Sequence, residues 1–311
     1  MRICLFSVYD KPYEEIAKET IFSNFKNYCI LQGYSLKFFE ISNSESLATA
    51  WYKIACAKNV LDQSDYDYVM FVDADCLFLN TLRRIEEFID PNFFMTCSNE
   101  INPNGDKEII SSHMIFKNCE KSKQYLSKVL EYSSDPSYKY RTTHPWEQVP
   151  VNEVAIMDEF KGGINRLDPK SLNIPWPHND PYFLKAYPHC NNFCYKAGDF
   201  IAHFSGFPME ERLRLIKMAN EVLTGGHITN WRCYVDNGNY VVYFTSLDNF
   251  RDVTIKYKDL KSKEDLHVRK FESFQINHFY TNIFQEKPFD IALVECYSQD
   301  KLIAKNILEC K

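Results

Sequence analysis

The stretch YVMFVDADCLFLN, residues 68–80, runs five apolar residues into two aspartates, Asp73 and Asp75, and then turns apolar again. A short run without alternation reads as a strand buried on both faces, as in sheets covered by helices on each side. Acids at the end of such a strand form either a solvated turn or a site for something positive. Spaced i, i+2, the two carboxylates can converge on a hard divalent cation, and such a cation commonly shares its shell with substrate phosphates.

The preceding sequence supplies the rest of that sheet. Residues 2–8 (RICLFSV) read as a first buried strand, and residues 13–32 carry apolar side chains near helical spacing and stop at Gly33. SLKFFEI reads as a second strand, residues 46–62 as a second amphipathic helix, and YDYVMFV as the third strand. Strand and helix alternating in this way predict an α/β fold with helices on both faces of a parallel sheet. Ligands in such sheets bind at the carboxyl ends of the strands, where Asp73 and Asp75 stand.

Farther on, HMIFKN reads as a strand, residues 120–134 as a helix, and HPWEQVPVNEVAIMDEF as a helix begun near a proline. The Pro-rich stretch 171–190 predicts an irregular loop. Alternating runs such as YVVYFTSL and VTIKY in residues 231–311 predict a small β-rich appendage, with a boundary near Gly225 and Gly226. Two regions follow, 1–225 and 226–311.

The chain of 311 residues is 45% hydrophobic, enough for one large domain and a small companion. A formal net charge of −6 without any basic tract argues against a nucleic-acid partner, so an anionic ligand must be met locally. No stretch approaches the roughly 20 apolar residues of a membrane span, and the start lacks a signal peptide's long apolar segment. Eleven scattered cysteines, mostly in apolar runs, suit buried thiols in a reducing cytosol. A cytoplasmic protein is the expectation, its oligomeric state left open.

Four stretches in register, NYCILQGYSL, AWYKIACAKNVLDQSDYDYVMFVDADCLF, WEQVPVNEVA and AHFSGFP, resemble glycosyltransferase family 34, whose galactosyl, xylosyl and mannosyl transferases have the GT-A fold. The similarity runs over residues 1–215 and does not reach the last part of the chain. It implies a Rossmann-like mixed sheet flanked by helices. It also implies transfer of a sugar from a nucleotide diphosphate sugar, UDP-linked in preference to GDP-linked, to a glycan hydroxyl with retention of configuration. A Mn²⁺ or Mg²⁺ ion would bridge the donor's diphosphate.

By that resemblance Asp73, with Ala74, and Asp75 would hold the metal, and His203 of the His-Phe-Ser-Gly stretch would be its third protein ligand, followed by Gly206. A histidine after a strand is otherwise structural. Ser7, Val8 and Tyr9 would form a strand-end loop beside the nucleotide, or an ordinary turn. Trp51 and Lys53 match the family's Trp-x-Lys, Trp51 as core and Lys53 facing either a donor phosphate or solvent. Glu147 and Gln148 match the pair that contacts the transferred sugar and the acceptor, though glutamate is also favoured at a helix start.

This chain departs from the pattern in two places. The family's Asn-Thr-Gly has become Ser111, Ser112 and His113, which changes how closely a sugar approaches the donor pocket. The basic residue after His-Phe-x-Gly is absent, and Arg212 or Arg214 would replace it or else decorate a helix. His189, Cys190, Cys194 and His203 make a weak zinc pattern. Trp176 and Tyr182 would stack on a sugar or order their loop.

Two rival classes stand beside the transferase. A nucleotidyl or phosphoryl transfer enzyme would need a Gly-rich or basic phosphate loop near the first strand, which SVYDKPYEE does not offer. A haloacid-dehalogenase phosphatase carries its Asp pair after the first strand, not the third. The other rival is a carbohydrate-binding protein without turnover.

Overall fold

The computed structural model describes residues 1–42, 47–101, 107–177, 194–196, 199–223, 228–236, 239–246, 250–259, 265–274, 279–284, 291–299 and 301–309. They form two compact units, the first built from residues 1–77, 85–195 and 201–216, the second from 78–84, 196–200 and 217–311.

The first unit is organised by a six-stranded sheet. Its strands are β1 (Ile3–Asp10), β2 (Ser35–Ile41), β3 (Tyr68–Val72), β5 (Met95–Ile101), β6 (Lys107–Lys117) and β7 (Ile164–Leu167), in the order β2-β1-β3-β6-β5-β7. β1 pairs parallel with β2 and β3, β6 pairs antiparallel with β3 and β5, and β5 pairs parallel with β7. The sheet is therefore mixed, with β6 alone running against its neighbours. The parallel sheet expected from the first three strands holds for those three and for β5 and β7, with β6 reversed between them.

Both faces of the central strands are buried, which is why they read as unbroken apolar runs. On one face Phe6, Phe71, Met114 and Phe116 pack with Trp51, just before α3 (Tyr52–Gln63), with Ile54 and Leu61 of α3, Tyr125, Leu126 and Val129 of α4 (Glu120–Ser134), and Val151 and Val154 of α5 (Gln148–Ala155). Each wholly buried phenylalanine there contributes about 1.5–3 kcal/mol.

Residues 14–32 lie against β1 and β2. They form α1 (Glu14–Glu19), a π-helical turn (Thr20–Phe25) and α2 (Lys26–Gln32), where the sequence suggests one plain helix. Gly33, at φ 77°, ends the last of these in the left-handed region. Its N–H and that of Tyr34 close on the Cys29 carbonyl.

A smaller sheet of β4 (Cys76–Phe78), β9 (Ile201–His203) and β8 (Ile174–Pro175), in the order β4-β9-β8, follows the aspartates. The four-residue helix α6 (Pro169–Leu172) leads into β8, and α7 (Met209–Leu223) follows β9. Among the described residues no helix is long and apolar enough to cross a membrane. Cys4, Cys29, Cys56, Cys76, Cys97, Cys119, Cys194 and Cys296 are free thiols.

The second unit is antiparallel β-structure. β10 (Ile228–Asp236), β11 (Asn239–Ser246) and β14 (Phe279–Phe284) make a three-stranded sheet in that order. β13 (Asp265–Phe274), β12 (Phe250–Asp259), β15 (Ile291–Ser298) and β16 (Lys301–Glu309) make a four-stranded one. Val253, Ile255 and Tyr257 alternate into its core, as the period-two pattern requires. The boundary expected at Gly225 and Gly226 lies outside the described residues.

One glycine in the first unit is fixed by close packing. A Cβ on Gly163 would fall 2.5 Å from Cδ1 of Phe94, a ring itself held between Tyr125 and Phe160. Gly163→Ala is expected to destabilise the protein by about 1–3 kcal/mol through overpacking. Chemical denaturation measures this, and an unchanged midpoint would show that the Phe94 ring yields freely.

Candidate active site

The strand-end aspartates stand where three pieces of chain meet. Beyond Val72 the N–H of Asp73 donates to the Ser112 carbonyl at 3.0 Å, a bond made possible because β6 continues past the end of β3. Two residues later the Asp75 carbonyl accepts from the N–H of Phe204, placing Asp75 beside His203 at the end of β9. The Trp176 N–H in turn donates to the His203 carbonyl, and β8 pairs Pro175 with His203.

Two charged clusters result. In the first, the Lys53 Nζ lies 3.1 Å from Asp73 Oδ1 and 2.9 Å from Glu147 Oε1. Its side chain is only 8% exposed, so the solvent-facing alternative for Lys53 is wrong: helix α3 turns it inward onto two acids. Burial alone would lower the Lys53 pKa, but Asp73 and Glu147 outweigh it and hold the ammonium above its ordinary value. Burial raises Asp73, with Lys53 opposing. The Ser111 hydroxyl donates to Glu147 Oε1 at 2.7 Å, whereas Glu147 Oε2 is buried without a hydrogen-bond partner.

In the second cluster, Asp75 Oδ1 lies 3.3 Å from His203 Nε2 and Asp75 Oδ2 lies 3.0 Å from Arg212 Nη1. Burial raises the Asp75 carboxyl, yet His203 and Arg212 more than reverse this and keep it ionised, well below the usual carboxylate range. The same pairing holds the His203 pKa up against its burial. Arg212 also donates to the Tyr13 hydroxyl and to the Phe207 carbonyl. Arg214 pairs with Glu211 on the exposed face of α7, so of the two arginines Arg212 faces the site.

Asp75, Cys76 and His203 bring ligand atoms within 4.8 Å of one another. Burial, reinforced by the two aspartates, holds the Cys76 thiol well above its ordinary pKa, which makes it a poor ligand for a hard cation. A carboxylate and an imidazole remain, with Asp73 two residues away on its lysine. This oxygen and nitrogen donor set fits Mn²⁺ or Mg²⁺.

The clusters open into one cavity of about 670 Å³, a size that suits a small-molecule ligand. Val8, Tyr9, Lys53, Asp73, Ala74, Asp75, Ser112, Glu147, Gln148, His203 and Gly206 all line it. Ser7 lies behind the wall, its hydroxyl donating to the Val72 carbonyl at 2.7 Å. The loop expected at Ser7–Tyr9 does not form, because β1 keeps pairing with β2 as far as Asp10. His113 likewise sits behind the wall, 0% exposed, and burial holds its ring well below the ordinary histidine pKa. Glu147 precedes α5 and is 2% exposed, turned inward onto Lys53 instead of capping the helix.

Several wall residues have no role that the sequence alone assigns. Trp146 lines the cavity with its backbone at φ 51°, a left-handed conformation unusual for a bulky residue. Glu100, on β5, is pushed up to about 7 by burial, and Tyr13 up to about 12 by burial and Asp75. Asn173 joins two strands, bonding Ser112 of β6 and His203 of β9. Its one signal in the sequence is a polar residue between the apolar Leu172 and Ile174. Trp176 stacks on Tyr195 and Phe204, which makes it a packing residue, while Tyr182, His189 and Cys190 lie outside the described residues.

The model of the galactosyl transferase GMA12/MNN10 family matches residues 4–129. No curated protein matches the chain. Among solved structures, a glycosyltransferase involved in the glycosylation of the major capsid of PBCV-1 is similar at 19% identity with a TM-score of 0.50, over 70% of this chain and 100% of that one. The glycosyltransferase GlyE of Streptococcus pneumoniae TIGR4 is similar at 11% identity and a TM-score of 0.47, over 70% of this chain and 63% of that one. The first of these likenesses is one of fold.

Proposed function

We propose that this chain, a glycosyltransferase of the GT-A fold, moves a sugar from a nucleotide diphosphate sugar, UDP-linked in preference to GDP-linked, to a glycan hydroxyl with retention. The observation that carries the reading is the convergence of Asp75, His203 and Arg212 with Lys53 and Glu147 on a single cavity at the end of β3. Residues 1–225 form the transferase region in this reading and residues 226–311 an accessory region. The free thiols suit a reducing compartment such as the cytoplasm.

Asp73, Asp75 and His203 would hold Mn²⁺ or Mg²⁺, which when bound supplies Lewis-acid stabilisation of the leaving diphosphate. Arg212, already on Asp75, adds a positive charge for phosphate oxygens. Val8 and Tyr9 form a wall for the nucleoside, and the left-handed turn at Gly206, φ 82°, lets backbone approach the donor closely. With Oε1 held by Lys53 and Ser111, Glu147 keeps Oε2 to accept a hydrogen bond from a sugar hydroxyl. Gln148 lies beside it without a charge to attack the anomeric carbon. In the transfer, the bond from the anomeric carbon to the phosphate oxygen breaks and its electron pair leaves with the nucleoside diphosphate. The acceptor oxygen bonds to that carbon, and its proton passes to the departing phosphate.

Nucleotide release from a panel of UDP- and GDP-sugars tests this. Release from a UDP-sugar with Mn²⁺, lost on adding EDTA and restored by excess Mn²⁺, is the expected result. Release that survives EDTA would refute the metal requirement, and donor binding without release under any condition would make the protein a carbohydrate-binding one.

A further inference from the structure

A polar residue that no motif marks stands at the centre of a buried network in the cavity wall. Asn173 is 4% exposed, between the end of α6 and the start of β8. Its Oδ1 lies 2.8 Å from His203 Nδ1 and accepts the Ser112 hydroxyl at 3.2 Å. The pairing of Ile174 with Ala202 and of Pro175 with His203 brings Asn173, two positions before Pro175, within reach of His203.

We infer that Asn173 is a positioning residue, one that sets the tautomer of His203 and so aims a bare Nε2 at the cation held with Asp75. The inference rests on the metal reading of the site. An amide oxygen only accepts, so the His203 nitrogen facing it carries the proton. The other nitrogen, 3.3 Å from Asp75 Oδ1, then presents its lone pair toward the carboxylate once the ring is neutral. Two electron-rich atoms facing each other at that distance are stabilised by a positive charge between them, the ring's own proton when it is charged or a metal cation when it is neutral.

The same logic extends to His113. With the Ser112 hydroxyl proton committed to Asn173, His113 Nδ1, 2.9 Å from Ser112 Oγ, must donate to that oxygen. Its Nε2, which has no partner, is left as a lone pair. The chain His113 to Ser112 to Asn173, with His203 donating from the other side, thus has one consistent arrangement of protons. Were the amide turned over, His203 would accept at Nδ1 and carry its proton at Nε2, a form that cannot ligate a metal through that atom.

Two measurements test this. In metal-free protein with ¹⁵N-labelled histidine, at a pH where the ring is neutral, His203 is expected to be protonated at Nδ1; protonation at Nε2 would overturn the assignment. Titration with Mn²⁺ alone, followed by electron paramagnetic resonance, is expected to show affinity weakened about 10- to 100-fold in Asn173→Leu. Asn173→Asp, which keeps an acceptor oxygen there, is expected to bind within a few-fold of the parent. Unchanged affinity in folded Asn173→Leu, or an Asn173→Asp no better than the leucine variant, would refute the role. If the parent itself fails to bind Mn²⁺, the metal reading falls, while the tautomer measurement still judges Asn173.

Discussion

Asp75→Asn is expected to lower donor turnover by about 10³-fold or more, because on the proposed metal reading it removes the charge that would anchor a cation, which is worth several kcal/mol. The amide keeps the side chain's volume, and Arg212 keeps its bonds to Tyr13 and the Phe207 carbonyl, so the protein should still fold. The structural cost, about 1–3 kcal/mol, is that of a charged hydrogen bond lost from Arg212 and His203. Measuring kcat/KM for nucleotide release together with circular dichroism separates the two effects. Turnover within tenfold of the parent, in a folded variant, would remove Asp75 from the metal site.

Lys53→Met should produce the largest loss of stability. The methionine fills similar space, but Asp73 and Glu147 then share a buried region with no cation between them. Removing one partner of such a pair typically costs about 3–5 kcal/mol, chiefly as the penalty of the stranded charge. The double variant Lys53→Met with Glu147→Gln removes one stranded charge and is expected to recover part of that loss. Urea denaturation of the parent, both single variants and the double variant decides the matter. A Lys53→Met midpoint equal to the parent's would mean that the cluster is hydrated and its ion pairs count for little.

The fold was legible in the sequence where one element's own pattern decided it. β1, β2 and β3 announce themselves by apolar runs, α4 by its helical stripe, and Gly33 by its place at a helix end. Strand direction was not legible beyond β3: β6 is apolar enough to be a strand, but nothing in HMIFKN says that it runs antiparallel. The candidate site divides in the same way. Asp73, Asp75 and His203 stand in motifs and can be named there as candidates, whereas the partners of Lys53 are set by tertiary contact, and spacing alone leaves it facing either a donor phosphate or solvent. Asn173 was hidden because its meaning lies in the strand that pairs beside it, 30 residues farther along the chain.

The π-helical turn at Thr20–Phe25 follows from a mismatch of periods. Buried neighbours recur every four residues: Ile16 and Ala17, Thr20 and Ile21, Asn24 and Phe25, Tyr28 and Cys29. At 3.6 residues per turn such a repeat drifts by about 40° a step, and three steps would swing Tyr28 and Cys29 off the sheet by about 120°. A wider turn absorbs that drift and keeps all four pairs on one line. It also makes this stretch tolerant of a change in length. Taking one residue out of the wide turn restores an ordinary α-helix with both ends docked as before, so related chains can carry a one-residue gap inside this helix and bury the same surface.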